Sequence, residues 1–279
     1  MNDQINIAIL LATFNGEEYI EPQINSIIGQ TYKGWNLYIC DDGSNDGTPG
    51  IIEKYVQQYS NIHQIKSKVT TQGAKRNFLN MLETVDADYY MFADQDDVWL
   101  KDKIELSLKK IQEQEKKTPS LPIVVHTDLI VVNESLKTIS FSFWDRSKIY
   151  PDILDNFNYL GVCNCATGCT MIFNNLAKKA SIPMPDEAPM HDWWVTINTS
   201  KNGIITYIDR PLVLYRQHTS NVVGARNINY SYFAKKIINL KGTLNGHRPL
   251  FDFHKVINYG SIFKYYKYKI LYTIRRNLK

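Results

Sequence analysis

The sequence predicts an α/β protein in which a mostly parallel central sheet is flanked by helices and followed by a helical C-terminal extension. Two observations carry the first part. Apolar runs of strand length alternate with longer segments whose apolar residues recur every three or four positions. The strands also end in polar motifs, as expected where parallel strands deliver their carboxyl ends to one ligand-binding edge. The extension shows in its charge: residues 233–279 hold eleven Lys or Arg against the single acid Asp252, a net of +10. With +4 for the whole chain, the preceding part carries −6.

Ile5-Asn6-Ile7-Ala8-Ile9-Leu10-Leu11-Ala12 reads as a buried strand that stops at polar Thr13-Phe14-Asn15-Gly16. Ile20, Ile24, Ile27 and Ile28 then mark a helix. Trp35-Asn36-Leu37-Tyr38-Ile39-Cys40 is a second strand, halted by Asp41-Asp42-Gly43-Ser44. Asp46-Gly47-Thr48 opens a helix that ends near Tyr59, and Gly73 precedes a third carrying Phe78, Leu79 and Leu82. Tyr89-Tyr90-Met91-Phe92-Ala93 is the next strand and runs into Asp94-Gln95-Asp96-Asp97. An amphipathic helix is expected over residues 99–117, with a Lys-rich end ahead of Pro119 and Pro122. Beyond it, residues 123–126, 129–132, 170–173 and 204–208 read as strands and 190–200 as a helix. No linker-like composition interrupts the chain before its last quarter. One catalytic domain, 1–228, and an extension, 229–279, are therefore expected.

At 279 residues, 44% hydrophobic and 22% charged, the composition is that of a globular protein and excludes a disordered or fibrous chain. A core of this size needs no disulfide or metal to hold it. No apolar run reaches the length of a membrane span, and the amino-terminal residues lack the pattern of a secretory signal. Cys40, Cys163, Cys165 and Cys169 have no disulfide-framework or C-x-x-C spacing. They read as reduced thiols in a cytoplasmic protein, with a metal cluster as the alternative.

Acids alternating after a buried strand, as in Asp94-Gln95-Asp96-Asp97, can place oxygens around one hard divalent cation, Mg²⁺ or Mn²⁺. Asp96 or Asp97 can equally cap the helix expected next, and Asp41-Asp42-Gly43-Ser44 can be turn and capping chemistry. The chain has no G-x-G-x-x-G after its first strand, no P-loop and no G-x-S-x-G elbow. These absences argue against dinucleotide oxidoreductases, P-loop ATPases and serine hydrolases.

Taken in order, Ala12-Thr13-Phe14-Asn15-Gly16-Glu17, Gln30-Thr31, Asp41 to Thr48 and Asp94-Gln95-Asp96-Asp97 resemble family 2 glycosyltransferases, inverting enzymes of GT-A fold. His191-Asp192-Trp193-Trp194 and the run from Tyr215-Arg216-Gln217-His218 to Gly224 are similar to a bacterial rhamnosyltransferase-type branch that builds cell-surface polysaccharides. His126-Thr127-Asp128 and Gly168-Cys169-Thr170-Met171 fit the same branch. The resemblance implies dTDP-L-rhamnose as donor, with a UDP-hexose or UDP-N-acetylhexosamine as the alternative. The implied acceptor is a glycan, commonly lipid-linked, and Mn²⁺ or Mg²⁺ is the implied cofactor.

The same resemblance implies roles. Thr13, Asn15, Glu17, Arg76 and Gln95 lie by the nucleotide or its pyrophosphate, and Asp41 accepts from the pyrimidine imide. Asp94 faces the ribose or a metal-bound water, Asp96 holds the metal, and His218 adds a ligand or makes a structural hydrogen bond. Asp192 is the candidate general base, its capping role the alternative. Asp128, His191, Trp193 and Trp194 are candidate sugar contacts.

The extension interleaves its basic residues with Phe251, Phe253, Tyr259, Phe263, Tyr265, Tyr266, Tyr268 and Tyr272. That pattern suits the anionic inner face of a membrane, with the aromatic rings at headgroup depth. A solvated appendage, single-stranded nucleic acid and a homo-oligomer contact are the alternatives. With the acidic motifs in view, a transferase without a nucleic-acid partner is expected. A nucleotidyltransferase and a nucleic-acid-binding protein are the rivals from other classes.

Overall fold

The computed structural model describes residues 5–66, 73–218 and 248–278. The predicted extension begins inside a stretch that is not described, so the boundary at 228/229 and the motif residues from Thr219 to Gly224 lie outside the described residues.

Strand β1 (Ile7–Thr13) is fully buried because it is central, with β2 (Trp35–Asp41) and β4 (Tyr89–Asp94) parallel on either side. Strand β3 (Ile62–Lys66) closes this half in parallel with β2. The other half is built on β6 (Ile123–Asn133), which pairs in parallel with β9 (Ile204–Gln217). Between the halves, β8 (Ile172–Asn174) runs antiparallel to both β4 and β6. Strand β5 (Val98–Trp99) pairs antiparallel to β9, and β7 (Thr138–Ser140) antiparallel to β6. The order is β3-β2-β1-β4-β8-β6-β9-β5, with β7 on β6.

The period of two along β1 divides the core. Ile7, Ile9 and Leu11 join a cluster under α1 (Ile20–Ile28), α2 (Thr48–Gln58) and α4 (Lys103–Lys117), where Ile24, Ile52, Ile104 and Leu108 point inward. Ala8, Leu10 and Ala12 face the opposite cluster under α3 (Ala74–Thr84) and α8 (His191–Asn202), with Phe78, Leu82, Trp194 and Val195. The short helices α5 (Phe143–Ser147), α6 (Phe157–Leu160) and α7 (Asn175–Ala180) fill the surrounding connections.

Several elements differ from the sequence reading: the strand expected at 170–173 is β8 at 172–174, after a 3-10 turn over Gly168–Thr170, and the one expected at 204–208 runs on to Gln217. The helix expected from Trp99 begins at Lys103, because Val98 and Trp99 pair with Leu214 and Val213 of β9. Asp96 and Asp97 therefore sit too far upstream to cap it. The runs at 123–126 and 129–132 are one strand, irregular beside Asp128. Strand β3 escapes notice because His63, Gln64 and Lys66 interrupt its apolar residues on a sheet edge.

The extension folds onto the second cluster. Helices α9 (Arg248–Val256) and α10 (Ile262–Leu278) and the turn between them bury Phe253, Ile257, Tyr259, Tyr265 and Tyr272 in it. The Phe253 ring lies 5.5 Å from that of Trp193 and 6.4 Å from that of Trp194. All four cysteines are free. Among the described residues, no helix is long and apolar enough to cross a membrane.

Candidate active site

Parallel strands β1, β2 and β4 end side by side, with Thr13 opposite Asp41 and Ala12 opposite Asp94. The loops that follow are stitched to one another. The Thr13 hydroxyl donates to Gln95 Oε1 at 2.5 Å, the Phe14 amide donates to the same oxygen, and Gln95 Nε2 donates back to the Phe14 carbonyl. A Cβ on Gly16 would come within 2.3 Å of Gln95 Oε1, so any larger residue there would displace the Gln95 amide from these bonds. Asn15, at φ 45°, donates its amide to Ser44 Oγ and accepts from the Asn45 amide. Glu17 accepts from the Gly47 amide, and its own amide donates to Asp46. Asp41 accepts from the amide and hydroxyl of Ser44.

Asp94, Asp96 and Asp97 crowd the end of β4. Burial, with Asp96 and Asp192 nearby, pushes the Asp94 carboxyl up to about 7. Asp96 Oδ2 lies 2.7 Å from Nε2 of His218, at the end of β9. A carboxylate oxygen and an imidazole nitrogen from distant segments thus converge at the sheet edge, a donor set that can take a divalent cation. Arg216 fixes the approach. Its Nε donates to the Asp96 carbonyl at 2.8 Å, its amide donates to Asp97 Oδ1, and NH1 donates to the Glu134 carbonyl. The Tyr19 ring stacks on His218 at 4.8 Å and lies 5.0 Å from the Arg216 guanidinium.

A second acidic grouping, Asp94, Asp97 and Cys169, has ligand atoms within 4.8 Å of one another. The buried Lys103 ammonium lies nearby, over the Trp99 ring at 3.8 Å. Burial draws that ammonium down to about 7 and raises Asp97 and Cys169.

Across the edge, Asp192 is the second residue of α8. Its Oδ2 accepts from the Gly168 amide at 3.0 Å and Oδ1 from the Trp193 amide at 2.6 Å, with Asn164 alongside. Burial nevertheless pushes this carboxyl up to about 6. A Cβ on Gly168 would meet His191 Nε2 at 2.9 Å, so glycine lets the loop reach Asp192. A carboxylate that titrates about one unit below neutral pH, beside Asp94, can take a proton at physiological pH.

A family model described as glycosyl transferase family 2 matches residues 8–180. The chain belongs to that family. It is a glycosyltransferase with a GT-A-like fold, as the resemblance implied. It is 32% identical over 243 residues to the dTDP-rhamnosyl transferase RfbG of Shigella flexneri, covering 81% of this chain and 76% of that protein. Among solved structures, S. aureus TarS 1–349 in complex with UDP-GlcNAc superposes with a TM-score of 0.61 at 16% identity. That match covers 83% of this chain and 64% of the other. The mannosyltransferase PcManGT from Pyrobaculum calidifontis, in complex with GDP-Man and Mn²⁺, gives 0.57 at 13% identity, over 78% and 58% of the two chains. The transferase thus spans less than two thirds of these solved chains, and at such identities the likeness shows the fold alone.

The remaining predicted residues of the transferase lie away from this edge or turn inward. Asp128 accepts from Ser142 Oγ and from the amides of Leu129, Phe143 and Trp144, which ties α5 to β6. His191 packs as an aromatic, 4.0 Å from the Phe78 ring and 4.6 Å from that of Phe92. Neither of its ring nitrogens is hydrogen-bonded, and burial pulls its pKa down to about 3. Trp193 Nε1 donates to the Leu160 carbonyl and Trp194 Nε1 to that of Ser181. Arg76 is ion-paired with Asp186.

Four residues that hold the site together were not singled out from the sequence. Asp42 is buried and accepts from the Gly73 amide at 2.8 Å, fixing the start of α3. Tyr19, Arg216 and Gly168 act through His218, Asp96 and Asp192. Arg216 had a signal, its place two residues before His218. Tyr19 had none, because an intrahelical-looking aromatic gives no hint of a partner almost two hundred positions away.

Proposed function

We propose that the transferase moves L-rhamnose from dTDP-L-rhamnose, with inversion, onto a hydroxyl of a growing, lipid-linked cell-surface polysaccharide. The observation that carries this reading is the meeting of Asp96 and His218 on one side of the sheet edge with Asp192 across from them. Similarity to a dTDP-rhamnosyl transferase supports the donor.

In this reading Asp96 and His218 would hold Mn²⁺ or Mg²⁺, which would supply positive charge beside the departing nucleoside diphosphate. Asp94 binds the ribose side. Thr13, Asn15, Glu17 and Gln95 form the floor on which the nucleotide rests. Asp41 accepts from the imide N–H of the base through lone pairs not engaged by Ser44. Asp192 takes the proton of the acceptor hydroxyl as that oxygen attacks the anomeric carbon from the face opposite the leaving group. The Gly168 and Trp193 amides hold the Asp192 carboxylate in place for the transfer. A lipid-linked acceptor puts the transferase at the inner face of the cell membrane as a peripheral protein, its extension against the anionic surface.

Calorimetric titration with dTDP and with UDP, each with Mn²⁺ and with EDTA, tests the reading. Metal-dependent binding that favours dTDP is expected. Preference for UDP moves the donor to a hexose or N-acetylhexosamine, and failure of both nucleotides to bind refutes the reading.

A further inference from the structure

Helix α10 is apolar on two opposite faces. One face carries Tyr265 and Tyr272, buried in the core, and is tied down by the Tyr272 hydroxyl, Lys269 and Arg276. These donate to the carbonyls of Lys148, Val162 and Ser147. Among the described residues, the other face has no such cover. Phe263, Ile270, Ile274 and Leu278 are 82%, 57%, 50% and 81% exposed, with Leu271 beside them. Steps of seven, four and four residues set these on one side of the helix, opposite the tyrosines. Lys267 stands within the stripe and Lys264 and Arg275 along its border, and α10 contains no Asp or Glu.

We propose that this outward stripe of α10 docks on an anionic lipid bilayer. The helix lies in the interface with Phe263, Ile270, Ile274 and Leu278 among the acyl chains, while Lys267 and Arg275 reach lipid phosphates. This deepens the membrane-surface reading above and rests on it, but assigns the contact to different residues. Of the tyrosines that composition offers to the headgroups, Tyr259, Tyr265 and Tyr272 are interior and Tyr266 and Tyr268 half-buried, while the aliphatic side chains face out.

Charge and shape select a bilayer over other occupants. A second copy laid on this face would bring Lys267 and Arg275 against the same cations with no acid on either helix to offset them. Nucleic acid stacks on planar rings, whereas three of the four most outward side chains are aliphatic. An anionic interface satisfies both the cations and the aliphatic stripe. Its position also suits a membrane-borne acceptor. Phe253 of α9 packs on Trp193, next to Asp192, and Lys269 of α10 bonds Val162, two residues before Asn164 at the Asp192 carboxylate.

The test is co-sedimentation of the full chain with vesicles of phosphatidylcholine plus phosphatidylglycerol and of phosphatidylcholine alone. It compares wild type, a Phe263→Ser/Ile270→Ser/Ile274→Ser variant and a Lys267→Glu/Arg275→Glu variant. Circular dichroism and dTDP binding check that folding and the nucleotide site are intact, which surface substitutions should leave unchanged. Wild type is expected to sediment with anionic vesicles only and to be released by salt, and each variant to lose about tenfold or more in partitioning. If wild type binds and both variants bind equally well, the α10 assignment is overturned while the membrane reading stands. If wild type binds no vesicle, both fall and the transferase reading is untouched. If the serine variant turns a dimer into a monomer without changing vesicle binding, the stripe is a contact between copies and the proposal is overturned.

Discussion

Replacing Asp192 by Asn tests the assignment of the base, because burial gives that carboxyl a titration within reach of a rate assay. Its pKa is raised from 3.8 to about 6. At pH 7 about nine tenths of the side chains are ionised, and at pH 5 about one tenth. If Asp192 takes the acceptor proton, kcat/KM falls about tenfold between pH 7 and pH 5, and about tenfold per unit below that. In Asp192→Asn the inflection near pH 6 should be absent and the rate lower by about 10² or more. Stability should move the other way. The folded pKa lies above the unfolded one, so the neutral form is favoured by folding. The stability linked to this group is fully present below about pH 3.8 and lost as pH rises through 6, which costs about 3 kcal/mol at pH 8. The amide removes that cost but surrenders one of the two acceptors used by the Gly168 and Trp193 amides, a loss of about 1 kcal/mol. The variant should therefore melt no lower than wild type at pH 8. Initial rates with donor and acceptor, paired with thermal melts at pH 5 and pH 8, decide the matter. A variant that keeps more than about a tenth of the rate refutes the base, since general-base catalysis is worth more than that. Inactivity accompanied by a lower melt at pH 8 refutes the electrostatic reasoning.

Asp96→Asn and His218→Ala should each weaken Mn²⁺ binding by about tenfold or more, read by calorimetry with the metal alone. Tyr19→Ala should loosen the imidazole it stacks on and weaken Mn²⁺ less than His218→Ala does, with Tyr19→Phe restoring it. Equal Mn²⁺ affinity in the Ala variant would remove Tyr19 from that role. Asp128→Ala should lower stability to urea by about 2 kcal/mol or more, because it strips acceptors from two amides at the start of α5 and from Ser142. Its KM for the donor should stay unchanged, and a raised KM without a stability loss would return Asp128 to the sugar site.

The half of the sheet that carries β1, β2 and β4 was legible because those strands are short, apolar and followed at once by polar motifs. Their parallel pairing puts Thr13, Asp41 and Asp94 on one edge without further information. The second half was less so. Strand β8 is three residues long and antiparallel, and β5 is two residues whose pairing with β9 overrides the helical pattern continuing from α4. Neither has a periodicity to read. At the site, acids and His218 were legible as residue types that bind cations or move protons. Their separation into working and scaffolding groups was not. Asp128 and Asp192 look alike in sequence, yet one carboxylate anchors the start of a helix and the other stands beside Asp94. His191 illustrates the same limit, since an imidazole between Phe78 and Phe92 behaves as a third aromatic ring.

The extension shows where composition misleads an experiment. Basic and aromatic residues concentrated in one segment invite its deletion as the test of membrane binding. Phe253, Tyr259, Tyr265 and Tyr272 are each no more than 1% exposed, so deletion would open a face of the core that also supports Trp193 and Trp194. Burying a large aromatic side chain is worth about 2 kcal/mol or more, and four of them together rival the whole stability of a typical domain. A truncated chain that no longer sedimented with vesicles could thus owe its loss to unfolding. Substitution along Phe263, Ile270 and Ile274 avoids this, because those side chains contribute little to the core. The same helix then answers two separate questions: its inner face whether the fold holds, its outer face where the transferase works.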